Sequence, residues 1–117
     1  MEDSLVNLQQ KITEFAKVRD WEQFHSPKNL SMALIGEAAE LLEHFQWLTQ
    51  AQSQQLSKEK HQAVGLEMAD IFIYLLRLAE TLDIDLIKVS HQKAEINEQR
   101  FPIDLVKGKA KRAIEYQ

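Results

Sequence analysis

The chain of 117 residues contains no cysteine and has only three glycines and two prolines. The absence of cysteine excludes disulfide bonds and metal sites with thiolate ligands, and it fits a reducing, cytoplasmic environment. Because glycine and proline most often interrupt helices, their scarcity favours helix over sheet. Strand patterns are also missing, so the sequence predicts an all-α fold.

Long apolar runs and an excess of positive charge are absent as well. The most apolar stretch, residues 64–79, is interrupted by Glu67, Asp70 and Arg77, whereas a transmembrane span needs about 18 or more residues with few charges. The acidic N-terminus does not match a secretory signal peptide. The formal net charge of −4 argues against a nucleic-acid partner, since such proteins are usually basic. We therefore expect a soluble protein that binds neither membranes nor nucleic acids.

Apolar residues recur at three- and four-residue intervals in four segments, which predicts four amphipathic helices. Ser26, Ser57 and Asp85 are the predicted N-caps of the last three helices, and Pro27 occupies the first turn of the second. The predicted helices run over residues 3–19, 27–47, 58–82 and 86–101.

The predicted domain organisation is one helical domain and a tail. Residues 1–102 are expected to form a four-helix bundle. Residues 103–117 form a basic C-terminal tail that is either a short helix or a mobile arm, and its basic residues are Lys107, Lys109, Lys111 and Arg112.

The third predicted helix is apolar on nearly every side between Val64 and Leu82. A helix that is hydrophobic all round is normally buried, but four helices of this size would leave part of it exposed. We therefore expect a second copy of the chain to cover it, most simply through a two-fold axis. The alternative is that the N-terminal helix alone covers this surface.

Four carboxylates occur as two pairs with the same spacing. Glu37 and Glu40 lie on the second predicted helix, and Glu67 and Asp70 lie on the third. Residues three apart share one helix face, and the second pair interrupts the most apolar helix, where ionised groups are rarely buried without a partner. If the two helices pack antiparallel, all four carboxylates meet in one pocket. The alternative is that each pair belongs to an ordinary solvated face.

Carboxylates that meet in this way repel each other. Two like charges about 4 Å apart cost about 4 kcal/mol at an effective dielectric constant of about 20, so the group needs a cation. All the available ligands are oxygens, which favours Mg²⁺ first and Mn²⁺ second. A di-iron site is a weaker alternative because it requires Glu-x-x-His on two helices, and only Glu22 and His25 have that spacing.

Three sequence segments carry a further resemblance. The first is RDWEQFHSPKNLSMALIGEAAELLEHFQW at residues 19–47, which contains the run GEAAEL at 36–41. The second is EMAD at residues 67–70. The third segment is Lys93-x-x-x-Asn97-x-x-Arg100-Phe101-Pro102. Together they resemble the MazG-like all-α nucleotide pyrophosphohydrolases, in particular their dCTP pyrophosphatase-like branch. The resemblance covers residues 5–102, with Phe101 where tyrosine is frequent in the family.

The resemblance implies an enzyme that uses Mg²⁺ to hydrolyse deoxynucleoside triphosphates to monophosphate and pyrophosphate. It favours dCTP, with dATP or modified nucleotides as further candidates, and it implies a homodimer or homotetramer with sites at subunit interfaces. The metal ligands that it implies are Glu37, Glu40, Glu67 and Asp70. The residues that it places at the phosphates or sugar are Lys93, Asn97 and Arg100.

The expected mechanism is attack of water on the α-phosphorus. A carboxylate that the metal does not fully engage takes the proton, and we favour Glu40 over Glu37 although spacing does not decide between them. Pyrophosphate then leaves with its charge held by the metal, Lys93 and Arg100. The rival hypothesis is a non-catalytic helical interaction module, in which the acids form a polar seam and bind no metal.

Candidates for contact with the nucleobase are the aromatic and histidine side chains near the acidic pairs. Aromatic rings stack on any base for about 1–3 kcal/mol each, so stacking binds a base without choosing one. The alternatives are that Trp47 closes the end of a core helix and that His25 is an ordinary loop residue. The candidates are Trp21, His25, Trp47 and Tyr74.

Overall fold

The computed structural model describes residues 4–110, and every regular element within that range is a helix. The all-α prediction is therefore confirmed for this part of the chain. Between residues 4 and 110, no helix is both long and apolar enough to cross a membrane. The helices are α1 (Leu5–Val18), a 3-10 helix (Glu22–Phe24), α2 (Pro27–Glu43), α3 (Gln50–Ser53), α4 (Lys58–Thr81), α5 (Leu86–Arg100) and α6 (Ile103–Val106).

The three predicted N-caps are confirmed. In Ser26, Ser57 and Asp85 the side-chain oxygen accepts a hydrogen bond from the backbone N–H three residues later, at 3.1 Å in each case. Each bond satisfies one of the donors that the first turn of a helix leaves unpaired. Pro27, which has no N–H to leave unpaired, stands in the first turn of α2.

The predicted end of the second helix is wrong by about one turn. Helix α2 ends at Glu43, and residues 44–47 continue as tight turns in which the N–H of His44 bonds the carbonyl of Leu41. The connector that follows contains α3, which has a reciprocal capping box between Thr49 and Gln52. Its residues are almost all polar, so apolar periodicity gave no sign of it.

The C-terminal segment starts with the short helix α6. A short helix is one of the two forms predicted for the tail. Gly108 then takes a positive φ of 78°, a conformation that glycine adopts without steric cost. Residues 111–117, which include Lys111 and Arg112, lie outside the described part of the chain.

Helices α2 and α4 pack against each other in antiparallel orientation. Just before α2, His25 contacts Arg77 near the end of α4, whereas just after α2, His44 lies 4.0 Å from Glu67 nearer the start of α4. Rising residue numbers on α2 thus match falling numbers on α4. The antiparallel packing that the acidic pairs require is present.

The core lies in the first of two compact units, residues 1–83. Leu30 of α2 and Leu76 of α4 are its fully buried large side chains, each 1% exposed. Helix α1 contributes Ala16 and also packs on α4. The second unit, residues 84–117, contains α5 and α6. The four-helix bundle stays a prediction, because it concerns both units.

Helix α4 is not buried all round within one chain. Its residues Leu66, Met68 and Phe72 are 64%, 55% and 44% exposed. Packing of α1 on α4 leaves these apolar side chains exposed, so the N-terminal helix alone does not cover them. The second copy expected from the sequence stays a prediction.

Truncation of the core leucine on α4 tests the packing. We expect Leu76→Ala to lower the free energy of unfolding by about 2–5 kcal/mol, because a fully buried leucine leaves a cavity that the surroundings fill only partly. Val18→Ala on α1, where the side chain is 64% exposed, should change it by less than about 0.5 kcal/mol. Urea denaturation followed by circular dichroism measures both, and equal effects would contradict the burial described.

Candidate functional site

Three carboxylates from the antiparallel pair of helices converge. One oxygen from each of Glu37, Glu67 and Asp70 lies within 4.8 Å of the other two. Glu67 and Asp70 share a face of α4 because they are three residues apart, and the packing of α2 brings Glu37 opposite them. We call these three residues the acidic cluster. The predicted convergence of acids from two helices is present for this trio.

The close approach of the carboxylates changes the ionisation of Glu37. Its pKa is raised from the ordinary value of 4.5 to about 7. The largest cause is a hydrogen bond with Glu67, followed by partial removal from water and by the hydrogen bond and charge of Glu40, with a smaller contribution from the charge of Asp70. Without a cation, the cluster therefore retains a proton near neutral pH.

Glu40 lies beside the acidic cluster but outside the trio. It acts on Glu37 through a hydrogen bond and through its charge, as expected for residues three apart on α2, and its side chain is exposed. Its role as a metal ligand or as the general base stays a prediction.

His44 is a neighbour of the cluster that the sequence did not single out. Its Nε2 lies 4.0 Å from Oε1 of Glu67, with 22% of the His44 side chain exposed. His44 stands four residues after Glu40 and seven after Glu37, so helical spacing places it on the acidic face. A search for Glu-x-x-His passes over it, because Leu41 occupies the position three residues before.

The donor set fits a hard divalent cation. All three members of the acidic cluster offer carboxylate oxygens, the ligands that Mg²⁺ and Mn²⁺ prefer. A cation among them would also favour the ionised form of Glu37, whose pKa is raised chiefly by its hydrogen bond with Glu67. The geometry therefore allows Glu37, Glu67 and Asp70 to hold one such ion.

A cavity of about 410 Å³ adjoins the acidic cluster within the first unit, and Asp70 belongs to both. Three of the predicted base-contacting residues, Trp21, His25 and Tyr74, line it. Trp21 packs edge-on against Phe15 of α1, with ring centroids 5.7 Å apart at an interplanar angle of 72°. The structure thus brings three dispersed candidates together beside the acids, and we call this cavity the aromatic pocket.

Trp47, the fourth candidate for base contact, lies elsewhere. Its side chain is 85% exposed, and it is not among the residues of the described chain that line the aromatic pocket. One chain therefore does not bring Trp47 to the other candidates, and its role stays a prediction.

Arg77 is a second residue that sequence reasoning passed over, as an interruption of an apolar stretch. It is 6% exposed, lines the aromatic pocket, and donates from Nε to Nδ1 of His25 at 3.1 Å. The signal was its spacing: Arg77 follows Tyr74 by three residues and Asp70 by seven on the same helix.

The predicted phosphate-binding residues all lie on α5, in the second unit. Lys93, Asn97 and Arg100 follow one another at four- and three-residue steps, so they share one face of that helix. Asn97 is half-buried, and the Arg100 guanidinium lies 5.8 Å from the centroid of the Phe101 ring. Their contact with phosphates stays a prediction.

The raised pKa of Glu37 makes the stability of the metal-free protein depend on pH. Folded Glu37 holds its proton up to about pH 7, whereas unfolded Glu37 releases it near its ordinary pKa of 4.5. The unfolded state binds fewer protons in that window, so the free energy of unfolding falls as pH rises through it. Denaturation in EDTA across this range should show the decline, and Glu37→Gln should reduce it.

Glu43→Gln is the matched control, because Glu43 is an exposed acid on the same helix. It should keep the decline seen in the unmodified protein. An undiminished decline in Glu37→Gln would contradict the assignment of the proton to the acidic cluster.

The chain is similar in sequence to proteins named dCTP pyrophosphatase 1. The rat protein named dCTP pyrophosphatase 1 is 40% identical over 111 residues, which cover 93% of this chain and 65% of that protein. The human protein of the same name is 39% identical over 116 residues, which cover 97% of this chain and 68% of that protein. The chain thus spans about two thirds of the length of these relatives.

A solved structure shares the fold. The crystal structure of a pyrophosphatase from Archaeoglobus fulgidus superposes with a TM-score of 0.69 at 34% sequence identity, covering 84% of this chain and 92% of that one. The model of the MazG-like family matches residues 34–115, a segment that includes the acidic cluster and α5. The chain belongs to the MazG-like family.

Proposed function

We propose that the protein is a Mg²⁺-dependent nucleoside triphosphate pyrophosphohydrolase. It converts deoxynucleoside triphosphates, dCTP in particular, into the monophosphate and pyrophosphate. The observation that carries this proposal is that Asp70 belongs both to the acidic cluster and to the aromatic pocket. A nucleotide whose base occupies the pocket would therefore have its phosphates close to the acids. The names of the relatives support the same chemistry.

The acidic cluster would hold the metal. Glu37, Glu67 and Asp70 supply the oxygens, with Glu40 as a further ligand or as the base, and Mn²⁺ is the expected substitute for Mg²⁺. When bound, the ion neutralises phosphate charge and polarises the phosphorus. An acidic protein with an anionic substrate needs such a cation, because the carboxylates alone would repel the phosphates.

Glu40 is the favoured general base for the attacking water. Its side chain is exposed, and it lies beside Glu37 but outside the trio. A carboxylate in that position is free to accept a proton from water as the oxygen attacks the α-phosphorus. Lys93 and Arg100 would then hold the charge that grows on the leaving pyrophosphate, and Asn97 would bind sugar or phosphate.

The aromatic pocket would hold the nucleobase. Its volume of about 410 Å³ lies in the range of small-molecule sites, about 300–1,000 Å³. Trp21 and Tyr74 provide rings for stacking, which binds a base without selecting among bases. Trp47 is proposed as a further contact.

We also propose an assembled enzyme. The four long helices would form a bundle, and a second copy would cover exposed apolar side chains of α4, among them Leu66, Met68 and Phe72, giving a homodimer or a dimer of dimers. The support is the exposure of these three side chains, which a monomer would leave in contact with water at a cost of about 25 cal/mol per Å².

The reaction products test the proposal directly. With dCTP, Mg²⁺ and water enriched in ¹⁸O, we expect dCMP and pyrophosphate, with the label in dCMP, because water attacks the α-phosphorus. Mass spectrometry of both products measures this. Orthophosphate as the first product, or label in pyrophosphate alone, would contradict the proposal. An interaction module would give no hydrolysis and no Mg²⁺ binding.

Variants of the cluster belong to the same test. Loss of a group that hydrogen-bonds a metal ligand lowers metal affinity or activity by about 10–100-fold. Asp70→Asn removes a proposed ligand itself, so it should lower kcat by at least about 100-fold. Glu43→Gln on α2 should stay within about twofold of the unmodified enzyme. Full activity in Asp70→Asn would show that the acidic cluster is not the catalytic centre.

A further inference from the structure

Arg77 is a buried cation in the wall of the aromatic pocket. Only 6% of it is exposed, and charged side chains are almost never buried to that extent unless they are paired. Its Nε donates to Nδ1 of His25 at 3.1 Å. Its Nη2 lies 3.7 Å from Oε2 of Glu22, and its Nη1 lies 3.5 Å from Oε1 of Glu80. Each of the three guanidinium nitrogens thus has a hydrogen-bond or ion-pair partner.

Further contacts hold this arrangement in place. Both carboxylate oxygens of Glu80 accept from the hydroxyl of Thr13 on α1, at 2.8 and 2.7 Å. Arg77 is therefore fixed between α1, the 3-10 helix and the start of α2. Because each of its three nitrogens already faces a protein partner, it acts on a molecule in the pocket through His25, which also lines the cavity.

The bond from Arg77 determines the tautomer of His25. An arginine side chain is always protonated and can only donate, so Nδ1 of His25 must be the unprotonated acceptor. A neutral imidazole in this bond carries its hydrogen on Nε2. Burial and the positive charge of Arg77 lower the pKa of His25, against a smaller opposing effect of Glu22. His25 is thus a neutral side chain that can donate from Nε2 and cannot accept there.

We infer that Arg77 is a positioning residue that sets the base specificity of the proposed enzyme, by holding His25 as a fixed hydrogen-bond donor in the aromatic pocket. This inference rests on the proposed function, since it assigns a role to the pocket that would hold the nucleobase. Stacking on Trp21 or Tyr74 does not distinguish bases, whereas a donor of fixed direction does.

The class of base that such a donor selects follows from the hydrogen bonds of the bases. A donor aimed at the pyrimidine N3 or the purine N1 meets an unprotonated nitrogen in cytosine and adenine, which accepts from Nε2–H. At the same position uracil, thymine and guanine carry an N–H, and two donors that face each other leave both unpaired, which is costly in a closed site. A histidine free to change tautomer could serve either class. The Arg77 bond therefore selects cytosine and adenine, the bases of dCTP and dATP, over uracil, thymine and guanine.

The tautomer is measured by ¹⁵N NMR of the histidine rings in the nucleotide-free protein at pH 7.5. His25 is assigned as the signal missing from His25→Gln. We expect an acceptor-type nitrogen at Nδ1 and a protonated nitrogen at Nε2. A proton on Nδ1 would overturn the inference without reference to any activity.

Selectivity is measured by calorimetry with dCMP and dUMP in Mg²⁺, two ligands of equal size. The unmodified protein should bind dCMP at least about tenfold more tightly than dUMP. Arg77→Met keeps the apolar stem and removes the donor, so it should reduce the ratio of the two dissociation constants to within about threefold. If Arg77→Met does not fold, Arg77→Lys, which keeps the charge but lacks the Nε–H, gives the same comparison. Glu22→Gln leaves the Arg77–His25 bond in place and should keep the full ratio.

The outcomes separate this inference from the proposed function. An unchanged ratio in the Arg77 variants, or no binding of either nucleotide, would overturn the role of Arg77. A preference for dCMP that depends on Arg77, in a protein that hydrolyses no nucleoside triphosphate, would support the role of Arg77 and contradict the proposed function.

Discussion

Electrostatic repulsion between carboxylates on two antiparallel helices is the constraint on which the candidate site depends. Helix α2 presents Glu37, and helix α4 presents Glu67 and Asp70, within 4.8 Å of one another. The protein stabilises this arrangement without a metal by keeping a proton on Glu37, whose pKa rises to about 7. A divalent cation held by these carboxylates would perform the same task at physiological pH and would supply Lewis acidity. The same contact that costs stability would thus create the proposed metal site.

Helix α4 links the acids to the aromatic pocket through one stripe of side chains. Glu67, Asp70, Tyr74 and Arg77 follow at steps of three, four and three residues, the spacing of a single helix face. Along that face the acids Glu67 and Asp70 come first, the aromatic ring of Tyr74 follows, and the cation Arg77 comes last. The order matches a nucleotide whose phosphates lie at the acids and whose base lies towards His25. One rigid helix therefore sets the distance between the proposed metal and the proposed base contact.

Much of this could be predicted from local sequence. Helix starts depend on short-range capping bonds, so Ser26, Ser57 and Asp85 were recognisable. The acids were recognisable because Glu67 and Asp70 interrupt an apolar helix, where an unpaired charge is costly. The short helix α3 was missed, because a capping box between Thr49 and Gln52 stabilises it and it has no apolar face.

The parts that sequence did not show depend on contacts between distant residues. Arg77 lies 52 positions from His25 along the chain, and nothing local to either residue marks their bond. Likewise, only the packing of α2 on α4 shows that His44 lies beside Glu67 of the acidic cluster. Several apolar side chains of α4 are exposed, and the second copy of the chain that the sequence predicts to cover them stays a prediction, because a single chain does not contain that contact.

The central claim is that a divalent cation replaces the proton held by the acidic cluster. Calorimetric titration with Mg²⁺ at pH 6.5, in buffers of different ionisation enthalpy, counts the protons released on binding. The account predicts release of between about half and one proton per ion, and markedly less from Glu37→Gln. Binding without proton release, or no binding at all, would contradict it.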